Sequence, residues 1–206
     1  MKFSPGSRVL VLASGSGSTL QALLDAARDP GYGVQLVAVG ADREDAGALR
    51  RAEAAGVATF VCPLGRGDDR AAWDEVLTKT VAAHRPDLVV SAGFMKLAGP
   101  AFLDRFGGRF INTHPSLLPA FAGMNAVRDA LDYGVKVTGC TVFMVDAGTD
   151  TGPVIAQAAV PVRDDDDVPA LHERVKVAER VLLVDTVGAM ARGGWSVQGR
   201  KVKVGR

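Results

Sequence analysis

Short runs of apolar and β-branched residues alternate along the chain with longer stretches of helical periodicity. The runs predict strands at Arg8–Ala13, Val34–Gly40, Ala58–Cys62, Asp87–Ser91 and Arg109–Thr113. Helices are predicted between them, near Thr19–Arg28, Asp45–Ala55, Asp69–His84 and Pro100–Phe106. This order is typical of successive βαβ units, which form a parallel sheet with helices packed on it.

The apolar content of the strands predicts their place in the sheet. The first, fourth and fifth runs are almost wholly apolar, as in strands that helices cover on both faces, and we expect them at the centre. After the fifth run the regular alternation ends, and the sequence predicts a short helix ending near Tyr133 and two further strands, Val135–Val145 and Pro153–Val162. The segment Asp146–Gly152 between these runs has the composition of a loop joining neighbouring strands.

The end of the chain contains a long helix and a tail. The helix is predicted over about Val168–Met190, and the tail from Gly193 is predicted to add one edge strand. Taken together, the elements predict an α/β, Rossmann-like fold. Its open, mostly parallel sheet would be flanked by helices on both faces and completed by a C-terminal strand pair and the long helix.

Composition and charge are those of a single globular domain. The chain has 206 residues, 48% of them apolar, and its 24 Lys and Arg against 23 Asp and Glu give a net charge of +1. We therefore expect no nucleic-acid partner, since such proteins present a basic face. The apolar run Val9–Ala13 is too short for a signal peptide or a membrane span. Cys62 and Cys140 lack zinc-site spacing, and we expect a cytoplasmic protein without membrane contact.

The turn after the first strand is a candidate anion site. It reads SGSGST over Ser14–Thr19, and two glycines beside a helix N-terminus allow several backbone amides to converge on one anion. Leu20 stands where the dinucleotide fingerprint has its third glycine, so a single phosphate fits better than a pyrophosphate. The alternative is a tight turn in which Ser18 or Thr19 merely caps the helix.

The motif INTHPSLLP, Ile111–Pro119, lies at the carboxyl end of a predicted central strand. Ligands bind at this edge in open α/β sheets. Asn112 and His114 are two residues apart and would point the same way from a strand, so an amide and an imidazole could meet at one reacting atom. A lone histidine is more often structural than catalytic, and both interpretations stay open on the motif alone.

Two acidic segments are candidate sites. Asp150 precedes a Gly-Pro turn at a second strand boundary, where it is either a catalytic carboxylate or a turn former. The run Asp164–Asp167 precedes the long helix, and negative charge there is explained by the helix N-terminus without a metal. His84 and His172 lie in helical patterns among charged residues and are predicted at the surface.

Four motifs in order resemble the phosphoribosylglycinamide formyltransferases, folate-dependent enzymes of purine synthesis. The motifs are Ser14–Ser18, Gly93–Met95, Ile111–Pro119 and Asp150–Pro153, and the resemblance runs from about Arg8 to Val187. It implies the formyltransferase fold and transfer of a formyl group from 10-formyltetrahydrofolate to the amine of glycinamide ribonucleotide, without a metal. The sequence leaves the oligomeric state open, and a homodimer is compatible with it.

The resemblance also implies roles for individual residues. Catalysis would rest on Asn112, His114 and Asp150. The acceptor's phosphate would be bound by Gly17, Ser18 and Thr19, and its ribose by Lys176 and Glu179, which could otherwise form a solvated pair. Folate would contact Arg70, Met95, Lys96, Leu97, Ala98 and Asn112, with Asp146–Gly152 around the pterin. Residues 8–113 would form a nucleotide-binding half, residues 114–192 a catalytic and folate-binding half, and residues 193–206 a C-terminal tail.

Some positions depart from the family pattern. Phe143 and Asn125 stand where many members have histidines, and Ser16 and Thr19 replace common asparagines in the turn. Three alternatives therefore stay open: a different amine acceptor such as methionyl-tRNA or a sugar nucleotide, hydrolysis of 10-formyltetrahydrofolate, and ligand binding without catalysis. A tRNA enzyme would need a further basic domain, for which this chain has no room.

Overall fold

The computed structural model describes residues 6–205, and its core is one seven-stranded sheet. The strands are β1 (Ser7–Leu12), β2 (Val34–Ala41), β3 (Thr59–Val61), β4 (Leu88–Ser91), β5 (Phe110–His114), β6 (Val137–Met144) and β7 (Val154–Pro161). The helices are α1 (Ser18–Ala26), α2 (Gly47–Ala54), α3 (Arg70–Ala83), α4 (Pro100–Phe106), α5 (Ala126–Tyr133) and α6 (Val168–Gly193). The predicted α/β architecture is confirmed.

The strand order is β3-β2-β1-β4-β5-β6-β7; the first five strands pair in parallel, and β6 pairs antiparallel with both β5 and β7. The three apolar runs, β1, β4 and β5, are adjacent at the centre, as predicted. Their alternate residues enter different cores: Val9 and Val11 pack with α1 and α6, whereas Leu10 and Leu12 pack with α3 and α4. One sheet spans both predicted halves, whose separate roles stay a prediction.

The prediction of a single C-terminal edge strand is wrong. The tail forms a two-stranded antiparallel hairpin, β8 (Trp195–Gln198) and β9 (Lys201–Val204), outside the main sheet. A two-residue turn joins the strands, and its first residue, Gly199, has φ +58°, a conformation that glycine adopts without strain. The indole of Trp195 is buried and donates to the carbonyl of Gly108, which anchors the hairpin.

The acidic run before α6 is a helix start, as predicted. Asp167 is the N-cap residue, and its carboxylate accepts a hydrogen bond from the amide of Ala170. Asp166 forms a bidentate pair with Arg174: Nη1 donates to Oδ2 at 2.7 Å, and Nη2 donates to Oδ1 at 2.6 Å. Within residues 6–205, no cluster of three histidine, cysteine or acidic side chains could hold a metal ion, and no helix is long and apolar enough to cross a membrane.

The Asp166–Arg174 pair predicts a pH-dependent stability. Hydrogen bonds from Arg174 lower the pKa of Asp166 from 3.8 to about 2. Such a carboxylate stabilises the fold above its unfolded pKa, and the contribution is lost as the pH falls towards 2. We expect Arg174→Gln to lower Tm at neutral pH and the deficit to shrink under acid. Thermal unfolding across pH checks this, with Lys136→Gln, which removes an exposed pair to Asp164, as a weak-effect control.

Candidate active site

The glycine-rich turn Ser14–Thr19, hereafter the anion loop, connects β1 to α1 at the carboxyl edge of the sheet. Gly17 is the N-cap residue of α1 with φ +75°, and no side chain caps the helix, so the alternative of a Ser18 or Thr19 cap is wrong. The first amides of the helix therefore remain open to a ligand. A Cβ on Gly17 would lie 2.7 Å from Cα of Ala48, so only glycine fits between this loop and α2.

A substitution at Gly17 tests this loop. We expect Gly17→Val to weaken binding of a phosphate-bearing acceptor strongly and to lower Tm, since the side chain meets Ala48 and β-branching disfavours positive φ. Calorimetric titration with the acceptor checks it. Gly15→Ala is the control, because a Cβ there meets no atom within 4 Å. Unchanged affinity in Gly17→Val would remove the loop from the site.

The segment that follows β4 lies against the anion loop. The hydroxyl of Ser14 accepts a hydrogen bond from the amide of Met95 at 2.8 Å, and the amide of Ser14 donates to the carbonyl of Gly93. Met95 and Leu97 are 66% and 62% exposed, which is unusual for large apolar side chains and marks a surface suited to an apolar ligand. Ala98 is partly buried against the core beneath it.

The two basic residues predicted near folate occupy different positions around this segment. Arg70 is exposed, its Nη2 donates to the carbonyl of Leu97 at 2.7 Å, and its Cζ lies 5.8 Å from the centroid of the Trp73 ring. Lys96 instead turns inward, with Nζ 3.3 Å from the carbonyl of Leu64 and 3.7 Å from Asp42 Oδ2. The Lys96 side chain thus ties the segment to the neighbouring strand ends.

His114 and Asp150 meet, although they are far apart in the chain. Nδ1 of His114 lies 3.3 Å from Oδ2 of Asp150, and the two side chains are 6% and 13% exposed. Nε2 of His114 lies 2.8 Å from the carbonyl oxygen of Phe121. Both ring nitrogens therefore face acceptors, an arrangement that only the doubly protonated imidazolium can satisfy on both sides.

The Asp150 carboxylate is presented by a tightly organised loop. Asp150 has φ +55°, in the left-handed region, and its Oδ2 accepts a hydrogen bond from the amide of Gly123 at 2.9 Å. Asp146 organises the loop by accepting from the hydroxyl of Thr151. A Cβ on Gly152 would collide with the carbonyl of Met144, so this glycine allows the loop to return onto β6.

Asn112 is half-buried on β5, two residues before His114 and on the same face of the strand. It pairs in register with Ser91 of β4 and Phe143 of β6. Within the described part of the chain its side-chain amide makes no hydrogen bond, so it is open to a substrate. Phe143 is buried directly opposite it, and Asn125 is the N-cap residue of α5 without a side-chain cap.

The two residues predicted at the ribose lie on α6, beside β5. Glu179 accepts a hydrogen bond from the hydroxyl of Thr113. Nζ of Lys176 lies 3.7 Å from Oε2 of a different residue, Glu173. The interpretation of Lys176 and Glu179 as a solvated pair is therefore wrong. Burial raises the pKa of Glu179, and the Thr113 hydrogen bond and the charge of His114 oppose this shift. The charge of His114 thus acts on the Glu179 carboxyl.

The sequence did not indicate two features of the site, and two histidines outside it are less exposed than predicted. Ser14 links two segments remote in the chain, and Phe121 contributes only a backbone carbonyl, which carries no residue-type signal. His84 and His172, expected at the surface, are partly buried, and His84 stacks on Phe60 at 5.5 Å. Neither belongs to the site.

Relatives of known name match nearly the whole chain. A phosphoribosylglycinamide formyltransferase of Mycobacterium tuberculosis is 57% identical over 203 residues, covering 98% of this chain and 94% of that protein. The trifunctional purine biosynthetic protein adenosine-3 of Bos taurus is 41% identical over 90% of this chain, which matches 18% of its length.

Solved structures and a family model agree with these relatives. The crystal structure of glycinamide ribonucleotide transformylase 1 from Symbiobacterium toebii superposes with a TM-score of 0.94 at 41% identity, covering 99% of this chain and 96% of that one. The phosphoribosylglycinamide formyltransferase of Brucella melitensis gives a TM-score of 0.86 at 40% identity over 94% and 98% of the two chains. The formyl transferase model matches residues 7–187. This chain belongs to the formyl transferase family.

Proposed function

We propose that this enzyme uses Asn112, His114 and Asp150 to transfer the formyl group of 10-formyltetrahydrofolate to the amine of glycinamide ribonucleotide, a step of purine biosynthesis. The contact between His114 and Asp150 carries the proposal, because it brings an imidazole and a carboxylate together at the same edge of the sheet as the open anion loop. The reaction needs an acid that can give a proton to the leaving nitrogen, and this pair supplies one.

The chemistry assigns each group a task. Attack of the acceptor amine on the formyl carbon forms a tetrahedral species with an oxyanion, to which the Asn112 amide donates a hydrogen bond. The His114 imidazolium stabilises the same charge, and the Asp150 carboxylate faces its other ring nitrogen. The proton on Nε2, donated to the Phe121 carbonyl in the free protein, is the one we assign to the leaving folate nitrogen. The proton released by the amine restores the imidazolium.

The substrates would lie on two sides of this group. The open amides of Gly17, Ser18 and Thr19 suit the acceptor's phosphate, and Lys176 and Glu179 on α6 suit its ribose hydroxyls. The exposed segment Met95–Ala98 with Arg70 suits folate, whose acidic tail would meet the guanidinium. The Asp146–Gly152 loop would enclose the pterin. Neither substrate's site requires a metal in this scheme.

A direct assay tests the proposal. The purified protein is mixed with glycinamide ribonucleotide and 10-formyltetrahydrofolate, and the formylated product and tetrahydrofolate are both quantified. Equal amounts of the two are expected, since each formyl group released must appear on the acceptor. Tetrahydrofolate without formylated product would show hydrolysis instead, and no turnover from a folded sample at micromolar enzyme would overturn the proposal.

A further inference from the structure

We infer that Arg51, on α2, is a positioning residue of the anion loop, which aims the backbone amides that receive the acceptor's phosphate. The inference rests on the proposed function for the identity of the anion. It concerns a side chain that belongs to neither substrate's predicted contacts and lies behind the loop.

Arg51 joins the anion loop to the helix that follows it. Its Nε donates to the carbonyl oxygen of Ser16 at 2.8 Å, and its Nη1 donates to Oε1 of Gln21 on α1 at 3.0 Å. The side chain is half-buried. A planar guanidinium held by two bonds in different directions has a fixed orientation, so it can in turn fix the carbonyl it binds.

Fixing the Ser16 carbonyl fixes the next amide. The Ser16–Gly17 peptide unit is trans and planar, so its C=O and N–H bonds point in opposite directions. When Arg51 holds the carbonyl oxygen, the amide of Gly17 must point away from α2. Within residues 6–205 that amide donates to no protein group, which leaves it available to an anion.

The first turn of α2 repeats this arrangement one residue earlier. The amide of Ala48 donates to the carbonyl of Gly15 at 3.2 Å, which orients the amide of Ser16 in the same manner. Close approach is possible because α2 begins with Gly47, where a Cβ would lie 2.9 Å from the Ser16 carbonyl oxygen. Two consecutive peptide units of the loop are therefore oriented from α2.

Arg50 offers a control that distinguishes the effect of the Arg51 hydrogen bond from the effect of its charge. Arg28, Arg50 and Arg51 line the same cleft of about 540 Å³, so all three contribute positive potential there. Arg50 is exposed, and its Nη1 reaches only the carbonyl of Asp45, at 3.5 Å, without touching the anion loop. Replacing Arg50 or Arg51 removes one charge in each case, but only the Arg51 substitution frees the Ser16 carbonyl.

Steady-state kinetics of Arg51→Gln and Arg50→Gln test the inference. Loss of a hydrogen bond from a charged donor predicts an increase of about tenfold in KM for glycinamide ribonucleotide in Arg51→Gln. The KM for 10-formyltetrahydrofolate and kcat should stay near the wild-type values, and Arg50→Gln should change little. Arg51→Lys should be intermediate, because it keeps the charge but loses the planar guanidinium that bonds both partners in fixed directions. Gly47→Ala should act in the same direction as Arg51→Gln by displacing the Ser16 carbonyl.

The remaining outcomes are distinguishable. Equal increases in KM for Arg50→Gln and Arg51→Gln would reduce the effect to charge and overturn the inference, as would a loss confined to kcat. Calorimetric titration with inorganic phosphate needs no turnover. If the wild-type enzyme binds phosphate but fails to formylate the acceptor, the proposed function falls, and weaker phosphate binding in Arg51→Gln still supports the inference. Unchanged phosphate affinity in both Arg51→Gln and Gly47→Ala overturns it.

Discussion

Replacing Asp150 with asparagine is expected to lower kcat by about 10²–10⁴, the range typical for loss of acid–base catalysis. The KM for glycinamide ribonucleotide should hardly change, because the anion loop is untouched. Asparagine retains an oxygen that can accept the Gly123 amide, so the loop keeps its shape while the charge that faces Nδ1 of His114 is lost. The imidazolium then loses the carboxylate that pairs with its Nδ1 proton during formyl transfer.

Pre-steady-state measurement of formyl transfer checks this prediction, because it isolates the chemical step from product release. Asp146→Asn is the matched control: the same charge is removed from the same loop, but that carboxylate bonds Thr151 and faces no catalytic group. Asp150→Ala should fall at least as far and also lower Tm, since the Gly123 amide loses its acceptor. A similar loss in Asp146→Asn would instead assign Asp150 the role of shaping the loop.

The fold could be predicted from hydrophobic patterning because burial leaves a strong trace in the sequence. The wholly apolar runs of β1, β4 and β5 record two covered faces, and these three strands are adjacent at the centre of the sheet. The hairpin after α6 leaves a weaker trace, since Ser196, Lys201 and Lys203 are polar and only one face of β8 and β9 meets the protein. Its single buried anchor, Trp195, does not indicate a second strand.

The candidate site could be predicted only in part, for a different reason. Asn112 and His114 share one strand, so their common face follows from alternation, but their meeting with Asp150 depends on β6 returning antiparallel beside β5. No local pattern encodes that return, and only the resemblance to a known family indicated that Asp150 joins Asn112 and His114. The carbonyl of Phe121 was beyond prediction, because every residue has a carbonyl and only the loop conformation directs this one at Nε2.

Replacing Asn112 with alanine is expected to lower kcat by about 10²–10³, the cost of removing one hydrogen-bond donor from an oxyanion. Its side-chain amide has no partner among the described residues, so its loss leaves no protein group unsatisfied and Tm should change little. Asn112→Asp should be at least as damaging despite nearly equal volume, because a carboxylate repels the oxyanion. Asn125→Ala, at the only other asparagine in the chain, is the control and should retain most activity. Single-turnover rates at saturating substrates test the effect on the chemical step. If these rates are unchanged and Asn112→Ala alters only the KM for folate, then Asn112 holds the pterin, and the oxyanion must be stabilised by His114 alone.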